Sequence, residues 1–192
     1  MPGETPRYRW PYPDETDAIW QGAQQIRSLA TAIESTFSQT SIPPGSGAPP
    51  SVSAVRTTAM SVPNGVDTTV TWQTAEWDTR PGGQPQYSTN GLICRVAGLY
   101  LIEAVWTWDA NTNGRRAVKI TKNAGSAGAV LARADNANAW DNITTCTGTR
   151  RLAAGDELRL LVTQDSGAVL TGGQAMFDLR GRLTMTYVRA AP

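Results

Sequence analysis

Gly98-Leu99-Tyr100-Leu101-Ile102-Glu103-Ala104-Val105-Trp106-Thr107-Trp108 reads as one long β-strand. Successive side chains of a strand point to opposite faces, so Trp106 and Trp108, two residues apart, share a side and make it heavily aromatic. Packing in a core or at a subunit interface accounts for such a face without a ligand. On either side of this stretch, from Ala54 to Pro192, the same period-two, β-branched pattern continues, broken at short intervals by turn residues. Strands are expected at 52–58, 66–73, 92–96, 98–108, 116–122, 129–134, 142–151, 157–164 and 178–189. Asn64-Gly65, Asn90-Gly91 and Asn113-Gly114 mark turns, because Asn and Gly accept the positive φ that tight connections demand. Eight or nine strands in about 135 residues predict a mainly β fold, a two-sheet jelly-roll sandwich.

The N-terminal third reads differently. Residues 1–13 hold Arg7-Tyr8-Arg9-Trp10-Pro11-Tyr12-Pro13. Proline fixes φ and pushes its predecessor towards extended geometry, so this is an extended peptide that presents Tyr8, Trp10 and Tyr12 to a partner surface or against the protein's own helix. Residues 14–39 form the one convincing helix, with Asp14, Glu15, Thr16 and Asp17 as cap and first-turn acids. Ile19, Ile26 and Ile33 recur every seven residues with Leu29 beside them, a narrow seam that favours three-stranded association. The alternative is an amphipathic helix lying on its own domain. Residues 40–53, with Pro43-Pro44-Gly45-Ser46-Gly47-Ala48-Pro49-Pro50, are a low-complexity linker, and 54–192 are the jelly-roll knob.

Composition narrows the function. Lys and Arg number 17 against 16 Asp and Glu, a formal charge of +1, so the basic excess that nucleic-acid binding requires is missing. There are 0 histidines, which removes the commonest general base and metal ligand. Adjacent Asp156 and Glu157 face opposite sides of a strand and make a poor acid and base couple. Asp135, Asp141 and Asp165 sit in loops without the spacing of a calcium site. Gly172-Gly173, with no lysine or helix after it, is merely a loop. No catalytic residue, cofactor or metal site is therefore expected. Cys94 and Cys146 are expected as buried free thiols rather than a bridge, and Asn142-Ile143-Thr144 matches a glycosylation sequon by chance. The first ten residues do not read as a secretory signal, and no stretch approaches the ~20 apolar residues of a membrane span. Synthesis in a cytoplasm and no membrane insertion follow as expectations. Of 7 tryptophans, Trp77 and Trp140 lie beside Asp78 and Asp141 in loop-like segments, and are the candidate ligand surface.

Val96-Ala97-Gly98-Leu99-Tyr100-Leu101-Ile102 followed by Trp106 resembles the Gly-x-Tyr strand of the C1q and tumour-necrosis-factor-like jelly rolls. Arg151-Leu152-Ala153-Ala154-Gly155-Asp156-Glu157-Leu158-Arg159-Leu160 resembles their Leu-x-x-Gly-Asp-x-Leu turn and strand, and Phe177 through Gly181-Arg182-Leu183 their closing strand. Leu92 and Ile102 stand where phenylalanines are usual and the stretch from Phe177 to Gly181 is longer, so receptor-binding or calcium residues of animal members do not carry over. Trp10-Pro11-Tyr12-Pro13-Asp14 and the segment from Ile26 to Ile33 resemble the peptide and short helix that precede such trimeric knobs in tailed-bacteriophage virion proteins.

The resemblance implies a homotrimer closed around a threefold axis. It also implies a non-enzymatic role in a phage particle, made in the bacterial cytoplasm and ending on the virion surface. The N-terminus would dock on capsid or tail proteins, and the outward knob would serve capsid decoration or attachment to a host-surface glycan. The alternative is a soluble monomeric carbohydrate-binding module with Trp77 and Trp140 as its platform.

Overall fold

The computed structural model describes residues 3–4, 11–12, 24, 26–33, 49–123, 128–136, 142–176 and 179–190. The chain divides into two units, Met1–Pro44 and Gly45–Pro192. In the first, β1 (Gly3–Glu4) pairs antiparallel with β2 (Pro11–Tyr12), so the extended peptide pairs with itself. Residues 26–33 are helical and carry Ile26, Leu29 and Ile33 of the expected seam, with Ile26 63% exposed and the other two half-buried. Tyr8, Trp10 and Ile19 lie outside the described residues. No helix among the described residues is long and apolar enough to cross a membrane.

The second unit is a jelly-roll sandwich. One sheet contains β3 (Ser51–Val55), β6 (Thr74–Asp78), β9 (Gly98–Thr107), β12 (Ile143–Leu152) and β15 (Arg182–Arg189), in the order β12-β9-β15-β3-β6. The other runs β11-β10-β13-β8-β7 through β7 (Tyr87–Ser88), β8 (Gly91–Ile93), β10 (Arg116–Lys122), β11 (Ala129–Asn136) and β13 (Glu157–Gln164), with β5 (Thr68–Thr69) added beside β13. All these pairings are antiparallel. A small ribbon joins β4 (Met60–Val62) to β14 (Leu170–Gly172).

The sandwich follows from alternation. Along β9 Tyr100, Ile102, Ala104 and Trp106 are buried, while Leu99, Leu101, Glu103 and Val105 stand on the other side. The buried set meets Val118, Ile120, Leu158, Leu160 and Val162 of the second sheet in one core. At about 25 cal/mol per Å² of apolar surface removed from water, this shared core drives folding.

Trp106 occupies a glycine-lined seat. Its ring stands edge-on to Trp108, centroids 6.1 Å apart at 75°. A Cβ at Gly172 would lie 2.6 Å from the indole Nε1, one at Gly173 2.6 Å from Cη2, and one at Gly181 3.0 Å from Cζ3. No side chain larger than hydrogen fits those three positions without displacing the ring. The seat is stitched by backbone bonds: Gly173 N–H donates to Thr107 O (2.8 Å), Gly181 N–H to Gly173 O (2.9 Å) and Arg56 N–H to Gly181 O (2.8 Å). Gly172-Gly173 is thus a structural support, where the sequence alone reads a loop.

Several boundaries differ from expectation. The first strand begins at Ser51, inside the segment that composition assigns to the linker. Of 66–73 only Thr68–Thr69 is strand, and the closing strand starts at Arg182 rather than 178. Gly91 lies within β8, its turn supplied by the two residues before it, whereas Gly65 and Gly114 take the expected positive φ of 71° and 77°.

Gly173→Ala is expected to lower unfolding stability by roughly 1–3 kcal/mol through overpacking against Trp106. Its positive φ of 87° adds backbone strain. Denaturant unfolding followed by tryptophan fluorescence measures the change; an unaltered midpoint contradicts the seat.

Candidate interaction face

The side of the five-stranded sheet turned away from the core is the candidate site. Its geometry follows from register. Trp77 lies opposite Ser53, Ser53 opposite Thr184, Thr184 opposite Glu103 and Glu103 opposite Thr147, a single row crossing all five strands. On one side of it Arg182, Val105 and Thr145 line up, and on the other Thr186, Leu101 and Thr149. The face therefore mixes hydroxyls with half-buried Leu99, Leu101 and Val105. Glu103, Val105, Thr145, Thr147, Arg182 and Thr184 line a shallow depression of about 190 Å³.

Trp77 sits on β6, an edge strand, not in the loop-like segment that sequence reading gives it. It is 41% exposed, and its Nε1 donates to Ser51 Oγ at 2.9 Å, which fixes the indole against the sheet. Beside it Glu76 is an extra residue between the Ser53–Trp77 and Ala54–Ala75 pairs, a β-bulge. The bulge lets Glu76 Oε1 accept from Arg180 at 2.8 Å and Oε2 from Ser53 Oγ at 3.4 Å. Trp140 and Asp141 lie outside the described residues, so the expected Trp77 and Trp140 platform is represented by Trp77 alone.

The remaining acids serve the knob's own structure. Asp156 accepts from the Ala153 N–H (2.9 Å), Asn123 Nδ2 (2.9 Å) and Lys122 Nζ (3.2 Å), which ties the turn before β13 to the end of β10. Burial alone would raise its carboxyl, but those three donors outweigh burial and hold it below the ordinary carboxylate value. Glu157, its neighbour, accepts from Arg159 at 2.7 Å, so the two carboxylates engage different partners. Hydrogen bonds from Lys119 and Thr163 likewise hold Asp67 low, and a hydrogen bond from Arg133 does the same for Asp135. Asp165 accepts from the Arg115 N–H.

Cys94 and Cys146 are free and buried, as expected. Burial raises the Cys94 thiol and pushes Cys146 up to about 11, so both stay protonated and unreactive near neutral pH. Among the described residues no group of three or more Cys, Asp or Glu is placed to hold a metal ion.

The face presents exposed hydroxyls at Thr145, Thr147 and Thr149, half-buried apolar area, one fixed indole and the carboxylates of Glu76 and Glu103, while the hydroxyls of Ser53 and Thr184 in the same row are buried. Sequence reading missed Glu103 and Arg182 as members of this face. The available signal was Glu103 itself, the one charged residue in an otherwise uncharged strand from Gly98 to Trp108.

No family model and no curated protein matches the sequence. Solved structures do match the fold. Eiger TNF from S. frugiperda aligns with 76% of this chain and 96% of its own at 16% identity and a TM-score of 0.51. Murine APRIL at pH 5.0 aligns with 73% of this chain and 100% of its own at 14% identity and a TM-score of 0.51. Murine APRIL at pH 8.5 aligns with 72% of this chain and 98% of its own at 14% identity and a TM-score of 0.50. The knob thus has the tumour-necrosis-factor-like jelly-roll fold that the Gly-x-Tyr and Gly-Asp motifs imply.

Because the folded-state Asp156 carboxyl lies below the unfolded value of ~3.9, its contribution to stability is present above that value and is lost as pH falls through the folded pKa. Unfolding midpoints taken between about pH 6 and pH 2 should therefore fall on acidification. Asp156→Asn should be less stable at pH 6 and show a shallower fall; an identical pH profile contradicts the assignment.

Proposed function

We propose that the protein is a non-enzymatic, homotrimeric appendage of a tailed-phage particle, displayed on the virion surface. Its N-terminal segment, with Tyr8, Trp10 and Tyr12, docks on other virion proteins, and its jelly-roll knob points outward for capsid decoration or host-surface attachment. The observation that carries the assembly is the outer side of the five-stranded sheet, where half-buried Leu99, Leu101 and Val105 accompany an exposed Trp77. Apolar area of this kind on an otherwise soluble domain favours a covering partner. A further copy of the same chain is the partner that the family resemblance implies. The seam of Ile19, Ile26, Leu29 and Ile33 supports the same stoichiometry, since isoleucine there favours three strands over two. The phage assignment is supported by the likeness of Trp10 to Asp14 and Ile26 to Ile33 to the N-terminal elements of virion proteins.

Three knobs on one stalk would act together at high effective concentration, which makes weak contacts by a shallow surface useful. The competing reading, a monomeric carbohydrate-binding module, rests on the exposed indole of Trp77.

Gold-labelled antibody against residues 56–192, applied to phage particles from the producing organism and viewed by electron microscopy, tests the assignment. Label on head or tail is the expected result, lost when residues 1–13 are deleted. Particles without label overturn the virion role and favour the free module.

A further inference from the structure

Asn64-Gly65, Asn90-Gly91 and Asn113-Gly114 all lie among the described residues, and each asparagine is exposed. The dipeptide carries a chemistry of its own beyond its use in turns. The glycine amide nitrogen can attack Cγ of the preceding asparagine side chain, and with no Cβ the glycine puts nothing in the way. Exposure does not separate the three pairs. The state of the attacking nitrogen does, because an N–H held by an acceptor must give up that hydrogen bond before its nitrogen can turn to the side chain.

At Asn64-Gly65 both groups are engaged: the Gly65 N–H donates to Gln164 O at 2.7 Å, and Asn64 Oδ1 accepts from the Gly167 N–H at 2.7 Å. At Asn90-Gly91 the Gly91 N–H donates to Ser88 Oγ at 3.1 Å, and Gly91 is buried in β8 against Leu158. At Asn113-Gly114 neither the Gly114 N–H nor the Asn113 side chain has a hydrogen-bond partner among the described residues. Asn113 is held through its backbone N–H, which donates to Asn111 Oδ1 at 2.7 Å. The residues after it are fastened to the next loop. The Arg115 N–H donates to the Asp165 carboxylate, the Asp165 N–H donates to Arg115 O at 3.1 Å, and a Cβ at Gly114 would lie 2.6 Å from the Asp165 backbone. A main chain made longer at Asn113 cannot keep all of these contacts.

We propose that Asn113 is a site of spontaneous modification, converted to isoaspartate, and that the change releases the loop at Arg115 from Asp165. The Gly114 nitrogen bonds to Asn113 Cγ, closing a succinimide ring. The Cγ–Nδ2 bond breaks, and the side-chain nitrogen leaves as ammonia with the proton that Gly114 gave up. Water then opens the ring at either carbonyl. Breaking the bond from Cγ to the Gly114 nitrogen gives aspartate. Breaking the bond from the Asn113 main-chain carbonyl carbon to that nitrogen gives isoaspartate, whose chain runs through the side chain and is one methylene longer. Water is the only co-reactant, and nothing is oxidised or reduced. Either product sets a carboxylate where a neutral amide stood.

Ageing the full-length protein at mildly alkaline pH tests this, with peptides read by mass-spectrometric fragmentation that distinguishes aspartate from isoaspartate. A parallel sample in urea gives the rates of the unfolded chain. In the folded protein Asn113 should convert about tenfold faster than Asn64 or Asn90, and in urea the three should convert at similar rates, because unfolding removes the hydrogen bonds that protect the two slow sites. Anion exchange separates the converted protein, in which hydrogen exchange at the Arg115 and Asp165 amides should be faster than in fresh protein. The same amides should stay slow in Asn113→Gln carried through the same incubation. Faster conversion at Asn64 or Asn90, equal rates in the folded protein, or an Asn113 that survives while the urea sample converts overturns the assignment. The same ranking in urea overturns it too, since local sequence and not the fold would then select the site. Unchanged exchange at Arg115 and Asp165 in the converted protein overturns the release of the loop.

Discussion

The contact between the Trp106 indole and the glycines at 172, 173 and 181 governs how this sandwich closes. β9, at ten residues as long as β12, alternates buried and outward side chains from Gly98 to Trp106, and Trp106 lies near the end where β14 and the segment leading into β15 cross it. An indole buried there contributes several kcal/mol, but only if the crossing backbone approaches to van der Waals distance, which a side chain at any of the three glycines would prevent. The same approach brings the Gly173 and Gly181 amides within hydrogen-bonding reach of Thr107 and Gly173 carbonyls. Apolar burial and backbone pairing are therefore satisfied by one arrangement, and each supports the other.

Fixing β9 in this way also fixes what its other side presents. Because side chains alternate, seating Tyr100, Ile102, Ala104 and Trp106 in the core forces Leu101, Glu103 and Val105 outward. Flanking strands extend that outward set into rows through their register, with Thr147 on β12, Thr184 and Arg182 on β15, Ser53 on β3 and Trp77 on β6. The interaction face is thus a geometrical consequence of the core. A slip of one residue in β9 would bury Glu103 and expose Trp106, so core and face are specified together.

Legibility in the sequence tracked how fully each segment is paired. β10 and β13 run from Arg116 to Lys122 and from Glu157 to Gln164, as expected, because both are central strands bounded by turn residues. The 66–73 stretch misled because Val70 and Trp72 are buried like strand residues, yet their amides bond to two separate segments, at Leu160 and Thr89, and not to one continuous partner strand. Trp77 was legible as an exposed aromatic but not as part of β6, since the bulge at Glu76 breaks the period-two pattern. The strand after Phe177 starts late because Gly181 belongs to the Trp106 seat, a long-range contact that no local pattern encodes. Glu103 was visible as a charge in a strand, but the residues that stand beside it, Thr184 on β15 and Thr147 on β12, emerge only from the register.

The central claim is that the outward side of the five-stranded sheet is covered by other copies of the chain. Thiol labelling of a Thr147→Cys variant tests it most directly, because Thr147 is exposed on the protomer and the native Cys94 and Cys146 are buried and do not compete. With Arg133→Cys on the opposite sheet as the reference, labelling at position 147 should be much slower in the concentrated protein and should approach the reference rate on dilution into monomers. Equal rates at the two positions at every concentration would contradict the account.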